Sequence, residues 1–208
     1  ARARLRESLE GAYDLERLAS RAASGSADAR ELRAASETLA LLGDLATIVG
    51  ETPRLSASPL TAVLDRVDRE AATDLAATLD SALVEEPPGT VTQGGLISPG
   101  YDEQLDEIIE DHEAVKSWLD ELPAREKRRH GITHLTVDRN KTDGYYIQVG
   151  NSETDRVPEE YEHVKSLKNS ERYTTPELEE REREILRLEE RRYDLEKRLF
   201  EELRERVA

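Results

Sequence analysis

The chain lacks cysteine and methionine, and its 208 residues include one tryptophan and one phenylalanine. Without cysteine it can form no disulfide and carry out no thiol catalysis, and a structural zinc site is disfavoured. Hydrophobic and charged residues each make up 37% of the chain, with 4% aromatic. This lean apolar content favours extended amphipathic helices over a thick globular core. Since the chain does not begin with methionine, we expect a segment whose natural ends lie elsewhere.

Long hydrophobic runs are also missing. No stretch of 18 apolar residues is present, so we expect nothing in the chain to span a membrane. The first residues, ARARLRESLEGAYD, are charged and have helical character, unlike a signal peptide. The sequence therefore predicts an intracellular protein.

Positive charge is scarce, with 30 basic residues against 46 acidic ones and a net charge of −16. Only six of the basic residues are lysines. Such acidity ordinarily argues against nucleic acid as a partner, because phosphates attract Lys and Arg. It also suits a salt-rich cytoplasm, where at about 1 M salt the Debye length is only roughly 3 Å and net charge no longer repels a polyanion at a distance. The alternative is an ordinary acidic, solubilising surface.

The first hundred residues have mainly helical patterns. Helices are predicted from about residue 14 to 24, from 27 to 42 and from 58 to 83. Gly25 and Gly43 are expected to end the first two, and Ser58-Pro59 resembles a capping residue followed by a first-turn proline. Residues 84–100 are rich in proline and glycine, which predicts a loop.

Two longer helical segments follow, at about 102–129 and 175–207. In the first, Leu105, His112 and Leu119 repeat every seven residues, and a second row repeats likewise at Ile108, Val115 and Leu122. The second has a similar seam, interrupted by Arg181 and Arg192. At 1.5 Å per residue each arm would reach roughly 40–45 Å. We expect an antiparallel pair of arms; the alternative is that each seam packs elsewhere on a larger body.

The residues between the arms have β-strand character. Strands are predicted at Ile132–Val137 and Tyr145–Val149, joined by turn residues between Asn140 and Gly144, with shorter strands near 164–167 and 172–174. The predicted fold is mainly α: a helical core domain at 1–99, then a domain at 100–208 whose two long antiparallel helical arms end in a small antiparallel β-sheet at about 131–174.

No catalytic constellation is apparent. The four histidines lack metal-ligand spacing, and no G-x-x-x-x-G-K-[ST] motif is present to hold a triphosphate. Binding chemistry is more credible, because Lys141, Lys165 and Lys168 are three of the six lysines. The segment Lys165–Ser170 contains no acid and is rich in groups that hold phosphates. The alternative is a solvated edge strand protected by lysine.

A family resemblance rests on four ordered motifs: Gly144-Tyr145-Tyr146-Ile147 after Asn140-Lys141, then Val157-Pro158-Glu159, then Ser166-Leu167-Lys168-Asn169-Ser170-Glu171-Arg172-Tyr173, then Thr175-Pro176-Glu177-Leu178. In order and spacing they resemble the clamp region of the MutS mismatch-repair proteins. Segments 14–17, 21–25, 94–97 and 100–102 resemble the family's helical core and the start of its clamp arm. The resemblance covers essentially the whole chain.

The resemblance implies that two subunits form a ring around duplex DNA, with clamps on long helical levers closing over the backbone without reading sequence. Mismatch reading and ATP hydrolysis belong to other domains, so it implies no enzyme activity, metal or cofactor in this segment. The longer protein would use ATP and Mg²⁺, bind mismatched double-stranded DNA and a MutL-like partner, and work in the cytoplasm with the nucleoid.

Within the clamp we predict DNA-backbone contacts from Asn140, Lys141, Ser166, Lys168 and Asn169. Arg172 and Tyr173 are predicted to be structural. This sequence departs from the family pattern at the third strand, which is usually more basic and carries threonine at the position of Ser166. Two other readings stay open: a module whose paired arms bind a protein, and the clamp of a related protein working on recombination junctions.

Overall fold

The computed structural model describes residues 2–208; Ala1, where the first predicted domain begins, lies outside them. The described chain forms eight α-helices and one four-stranded sheet, which confirms the predicted fold class. It divides into two compact units. Unit 1 contains the residues up to Glu103 together with Tyr193–Ala208, and unit 2 is Gln104–Arg192. The domain boundaries predicted from the sequence stay a prediction.

Unit 1 is helical. Its helices are α1 (Arg2–Leu9), α2 (Leu15–Ala23), α3 (Ala29–Glu51), α4 (Pro53–Ser56), α5 (Pro59–Leu64) and α6 (Arg69–Ala82), joined by the last part of α8 (Pro176–Val207). Asp14 caps α2 by accepting a hydrogen bond from the Arg17 backbone. Asp28 and Glu31 form a reciprocal capping box at the start of α3. These caps fix where the two helices begin.

The core of unit 1 lies between α3 and α6. Leu32 on α3 and Leu79 on α6 are fully buried. The buried Ser36 hydroxyl donates to the Ala76 carbonyl over 2.9 Å, which satisfies a polar group inside this contact. The buried carboxylate of Glu196 accepts from the backbone N–H of Gly95, over 3.0 Å, and anchors the loop after α6.

Two helix predictions in unit 1 are wrong. Helix α3 does not end at Gly43 but continues to Glu51, because one glycine costs only about 1 kcal/mol among good helix formers. The single helix predicted over 58–83 is two helices, α5 and α6. Asp68 caps α6 by accepting from the Ala71 backbone, and this competing cap breaks the helix.

Unit 2 contains α7 (Glu103–His130, from Gln104 onward) and the first part of α8. His112 lies 3.8 Å from Glu189, and Arg125 lies 3.4 Å from Glu177. The residue numbers on one helix rise while those on the other fall, so the arms are antiparallel. Buried apolar residues line both arms: Leu105, Ile108, Val115, Leu119 and Leu122 on α7, and Leu178, Ile185 and Leu188 on α8. The predicted pairing of the two seams is confirmed.

The chain's only tryptophan, Trp118, joins the arms. The Arg125 guanidinium lies 4.7 Å from its ring centroid, and the Arg181 guanidinium lies 5.4 Å from it. Each such cation–π contact contributes about 0.5–2 kcal/mol. Arg181 therefore interrupts the apolar seam of α8 because it stacks on an aromatic ring of α7.

The sheet of unit 2 has strands β1 (Leu135–Asn140), β2 (Gly144–Gly150), β3 (Glu162–Ser166) and β4 (Ser170–Thr174). All neighbours are antiparallel and the order is β1-β2-β4-β3. A 3₁₀ helix, Asn151–Arg156, follows β2. The first strand begins at Leu135 rather than at Ile132, because the Thr133 and His134 backbone N–H groups donate to Glu153 instead of to a strand.

The two faces of the sheet differ, because successive side chains of a strand point to opposite sides. One face, called here the inner face, carries the buried residues Leu135, Ile147, Val149 and Tyr173. Ile147 shares a cavity of about 250 Å³ with Leu122 of α7, so this face packs on the arms. The outer face carries polar residues, including Thr136, Gln148 and Arg172.

Candidate nucleic-acid interface

The five predicted contact residues lie in or next to the two turns of the sheet. Asn140 is the last residue of β1 and Lys141 follows it in the β1–β2 turn. Ser166 is the last residue of β3, and Lys168 and Asn169 follow it in the β3–β4 turn. Asn140 pairs with Gly144 at the start of β2, whereas the β3–β4 turn reaches Gly150 at its end. Six residues of extended strand span about 20 Å. The structure therefore places these residues in two groups at opposite ends of the sheet.

The side chain of Asn140 is engaged within its own turn. Its Oδ1 accepts from the backbone N–H of Thr142 over 2.8 Å and of Asp143 over 2.7 Å. Its amide nitrogen donates to Asp143 Oδ2 over 3.0 Å. The hydrogen bond from Asn140 is the main reason that the pKa of the Asp143 carboxyl lies below its usual value. The hydrogen bond from Arg172 lowers this pKa further, while desolvation opposes both. Asn140 shapes the turn that presents Lys141.

Three carboxylates belong to this end of the sheet. Asp138 and Asp143 flank Lys141 in sequence, and Glu182 of α8 accepts from the Tyr145 backbone N–H over 3.3 Å. Gly144 has a φ of +68°, and a Cβ there would come within 2.8 Å of the Glu182 carboxyl carbon. Lys141 is exposed, and of these acids Asp143 is already paired with Arg172 over 2.8 Å.

The β3–β4 turn has the opposite character. All five residues of β3 are exposed, as are Lys168 and Asn169. Leu167 N–H donates to the Ser170 carbonyl over 2.8 Å. Asn151 donates from its backbone to the Asn169 carbonyl over 3.2 Å and from its amide to the Lys168 carbonyl over 3.1 Å. The main chain is thus fixed, and within residues 2–208 no carboxylate pairs with Lys168.

Ser166 lies apart from the outward-facing residues. Its hydroxyl is 3.1 Å from His163 Nε2, and it pairs across the sheet with Glu171. A register shift between His163 and Lys165 brings Ser166 to the same face as Glu171. The His163 ring lies edge-on to Tyr173, with centroids 5.6 Å apart. Ser166 is therefore at the rim of the inner face, although exposed.

Arg172 and Tyr173 are both held by neighbours in the sheet. Arg172 Nη1 lies 2.8 Å from Asp143 Oδ2, and its guanidinium lies 4.0 Å from the Tyr146 ring centroid. The Tyr173 hydroxyl donates to Glu171 over 2.5 Å. Burial and this hydrogen bond raise the pKa of Tyr173 to about 12. These contacts support the structural roles predicted for the two residues.

Glu153, in the 3₁₀ helix, holds the connection between α7 and β1 in place through hydrogen bonds. It accepts from the backbone N–H of Thr133 over 3.0 Å and of His134 over 2.7 Å, and lies 3.0 Å from His134 Nδ1. The hydrogen bonds from the Thr133 and His134 backbone lower the pKa of the Glu153 carboxyl to about 2. The carboxylate is thus a fixed, ionised anchor at the base of the sheet.

Glu126, near the end of α7, is a second anchor and is only 4% exposed. The Tyr161 hydroxyl donates to its carboxylate over 2.7 Å, and His130 Nε2 lies 3.2 Å away. Burial favours the neutral acid, but the hydrogen bonds from Tyr161 and Arg125 outweigh it, so the pKa of Glu126 is lowered. Burial, together with this bond, raises the pKa of Tyr161. The pair joins the arm to the segment before β3.

Sequence reasoning missed Glu126, Glu153, Asn151 and Tyr161, since nothing in their spacing distinguishes them from the many other polar residues. Over residues 2–208 there is no group of three or more His, Asp or Glu side chains placed to hold a metal ion. Among the helices of these residues, none combines the length and the hydrophobicity that a bilayer span requires. The interface offers hydrogen-bond donors and lysine charge.

Comparison with known proteins gives a consistent result. A model of "MutS family domain IV" matches residues 100–191. The whole chain is 69% identical to part of the DNA mismatch repair protein MutS 1 of Haloarcula marismortui and 56% identical to part of MutS 1 of Halobacterium salinarum. It is 44% identical to part of MutS of Natronomonas pharaonis. The chain spans about a quarter of the length of these relatives, covering 23% of the first and 24% of the other two.

Proposed function

We propose, from the premise that this chain belongs to the MutS family of DNA mismatch repair proteins, that its sheet binds the phosphate backbone of duplex DNA without reading the base sequence. The observation that carries the proposal is the β3–β4 turn. It presents Lys168 and Asn169 to solvent on a main chain fixed by Asn151, within a stretch from His163 to Ser170 that contains no acid. Lysine and amide groups bind phosphates without distinguishing bases.

High acidity elsewhere in the chain does not oppose this function in a salt-rich cell. The relatives from Haloarcula and Halobacterium belong to halophilic archaea, and the net charge of −16 fits that origin. With a Debye length of roughly 3 Å at about 1 M salt, a phosphate at the turn interacts only with groups next to it. The local absence of acid at Lys168 then matters more than the net charge.

We further propose that the segment holds DNA but has no catalytic activity of its own. ATP and Mg²⁺, mismatch reading, the second subunit and a MutL-like partner would belong to the longer protein. Binding by this chain alone should then be weak, with a Kd of about 10⁻⁴–10⁻⁶ M, which is typical of non-specific contacts. Tighter, sub-micromolar binding would contradict the view that closure around DNA needs the rest of the protein.

The test is fluorescence anisotropy with a matched duplex and with a duplex of the same length carrying one mismatch. The double variant Lys141→Glu, Lys168→Glu should weaken binding to both duplexes by the same factor, because phosphate contacts carry no sequence information. The double variant Lys116→Glu, Lys197→Glu, at exposed positions of α7 and α8, changes the charge by the same amount and should change binding less. A loss confined to the mismatched duplex, or an equal loss in the control, would overturn the proposal.

A further inference from the structure

One buried carboxylate holds the last part of α8 on a loop of unit 1. Glu196 is only 1% exposed. Its Oε1 accepts a hydrogen bond from the backbone N–H of Gly95 over 3.0 Å, and its Oε2 accepts from that of Leu96 over 3.3 Å. The two donors are 101 and 100 residues away in sequence. The contact therefore joins two distant parts of the chain.

The backbone of this loop has the shape that the contact requires. Gly94 has a φ of +66° and Gly95 a φ of +76°, values that residues other than glycine rarely adopt. This turn brings two successive N–H groups to the two oxygens of Glu196. Hydrogen bonds to an ionised acceptor are about twice as strong as those between neutral groups. The glycines and the carboxylate thus belong to one arrangement.

The same loop is the base from which α7 starts. The Leu96 carbonyl accepts from the Val84 N–H over 3.1 Å, and the Ser98 N–H donates to the Ala82 carbonyl over 2.8 Å. These bonds fix the loop to the end of α6. Helix α7 begins shortly afterwards, at Glu103. Glu196 therefore fastens the base of one arm to the helix that forms the other.

We infer that Glu196 is a positioning residue for DNA binding, although it is not part of the sheet. By holding the base of α7 on α8, it gives both arms a fixed starting point within unit 1. A binding surface carried on loosely held helices has to be ordered when it binds, and this ordering lowers the affinity. The inference rests on the proposed function and goes beyond it by assigning part of the affinity to unit 1.

Apolar packing cannot replace the carboxylate at this place. The neighbours of Glu196 on α8 include the buried residues Leu195, Leu199 and Phe200, whose side chains accept no hydrogen bond. Without the carboxylate, the Leu96 N–H would lose its acceptor in a buried position. An unsatisfied buried donor costs more than the net value of an ordinary hydrogen bond. The carboxylate therefore decides whether the loop stays closed on α8.

Hydrogen exchange of the isotope-labelled 208-residue chain, followed by nuclear magnetic resonance, reads the contact directly, because the Gly95 and Leu96 amides are its donors. In Glu196→Gln, which keeps the shape of the side chain, both amides should exchange about 10- to 150-fold faster, the factor that corresponds to a hydrogen bond to a charged group. The amides of α3 and β2 should exchange as before. Glu205→Gln, an equal charge change at an exposed position of α8, is the matched control and should leave both amides unchanged.

Fluorescence anisotropy then tests the positioning role. Glu196→Gln should bind matched and mismatched duplexes about 2- to 10-fold more weakly, the factor for ordering one mobile group on binding, whereas Glu205→Gln should bind as the unaltered chain does. Faster exchange of the Gly95 and Leu96 amides with unchanged affinity would overturn the inference and leave the proposed function intact. No binding by the unaltered chain would overturn the proposed function and, with it, the role of Glu196 in binding.

A second variant changes the loop and keeps the buried carboxylate. In Gly95→Ala, the φ of +76° strains the new residue, so the Leu96 amide should again exchange faster and the affinity should fall as in Glu196→Gln. Agreement between the two variants would separate the contact from any effect of removing a charge. Uniformly faster exchange throughout unit 1 in both variants would show that the contact supports the whole core, and would overturn the inference.

Discussion

Removing one hydroxyl tests how the arm and the tip are joined. In Tyr161→Phe the ring keeps its contacts with His130 and Tyr173, at centroid distances of 6.0 and 6.1 Å, but Glu126 loses a 2.7 Å hydrogen bond. A hydrogen bond to a charged group contributes about 1.5–3 kcal/mol. Because Glu126 is buried, we expect the free energy of unfolding to fall by an amount in that range.

The pKa of Glu126 also determines how this loss of stability depends on pH. The pKa of Glu126 is lowered in the folded chain, so its ionisation stabilises the fold above the unfolded pKa of about 4.3, and this stabilisation disappears as the pH falls through the folded pKa. Without the Tyr161 hydroxyl the folded pKa rises toward its ordinary value. The difference between the two proteins should therefore be largest near neutral pH and shrink in acid.

Urea unfolding followed by Trp118 fluorescence is the appropriate assay, since the single tryptophan lies in the same unit as Glu126. The slope m should stay constant while the midpoint falls. Tyr145→Phe is the matched control: within residues 2–208 no hydrogen bond of its hydroxyl is observed, so its effect should be within about 0.5 kcal/mol. A Tyr161→Phe loss no larger than the control's, or one that does not change with pH, would refute the assigned role of the bond.

Two other substitutions test the base and the turn of the sheet. Glu153→Gln should remove an acid-sensitive part of the stability. The wild-type carboxyl, with a pKa of about 2, stabilises the fold above about pH 4.3 and loses this effect as the pH falls through 2. In an acid titration followed by circular dichroism, the signal of the variant should therefore change less with pH over that window. Equal acid sensitivity in both proteins would show that Glu153 is not the group responsible. Gly144→Ala should lower the free energy of unfolding by more than about 1 kcal/mol, since φ is +68° and the Glu182 carboxyl occupies the space of the new methyl group. In chemical denaturation, adding Glu182→Ala should recover only the steric part of this loss, and full recovery would contradict backbone strain as a cause.

The arms could be predicted from the sequence because their seams repeat over several turns. Their buried residues, from Leu105 to Leu122 and from Leu178 to Leu188, match those rows. The ends of the helices in unit 1 were harder to predict, since a single residue can decide where a helix ends. Glycine often ends a helix, but Gly43 lies within α3. Asp68, by contrast, caps a new helix inside a continuous helical pattern. Local propensity at such positions is small compared with the packing between α3 and α6.

The candidate site was predicted only in part, because sequence spacing does not give the order of strands. Lys141 and Lys168 are near each other in sequence, yet the order β1-β2-β4-β3 sends their turns to opposite ends of β2. Asn140 has the residue type of a phosphate ligand, but its hydrogen bonds are made within its own turn. Asn151 lies outside the motif segments, and only the folded chain brings it to the carbonyls of Lys168 and Asn169.

The contacts of the Arg125 and Arg181 guanidinium groups with the Trp118 ring help to hold the two arms together. An exposed ion pair such as Arg125–Glu177 weakens as salt rises, because mobile ions screen it. A guanidinium stacked on an indole leaves no room for an ion between the partners and depends partly on contact with the ring face. The contact between the two arms should therefore persist at high salt, where a contact made only of opposite charges would weaken.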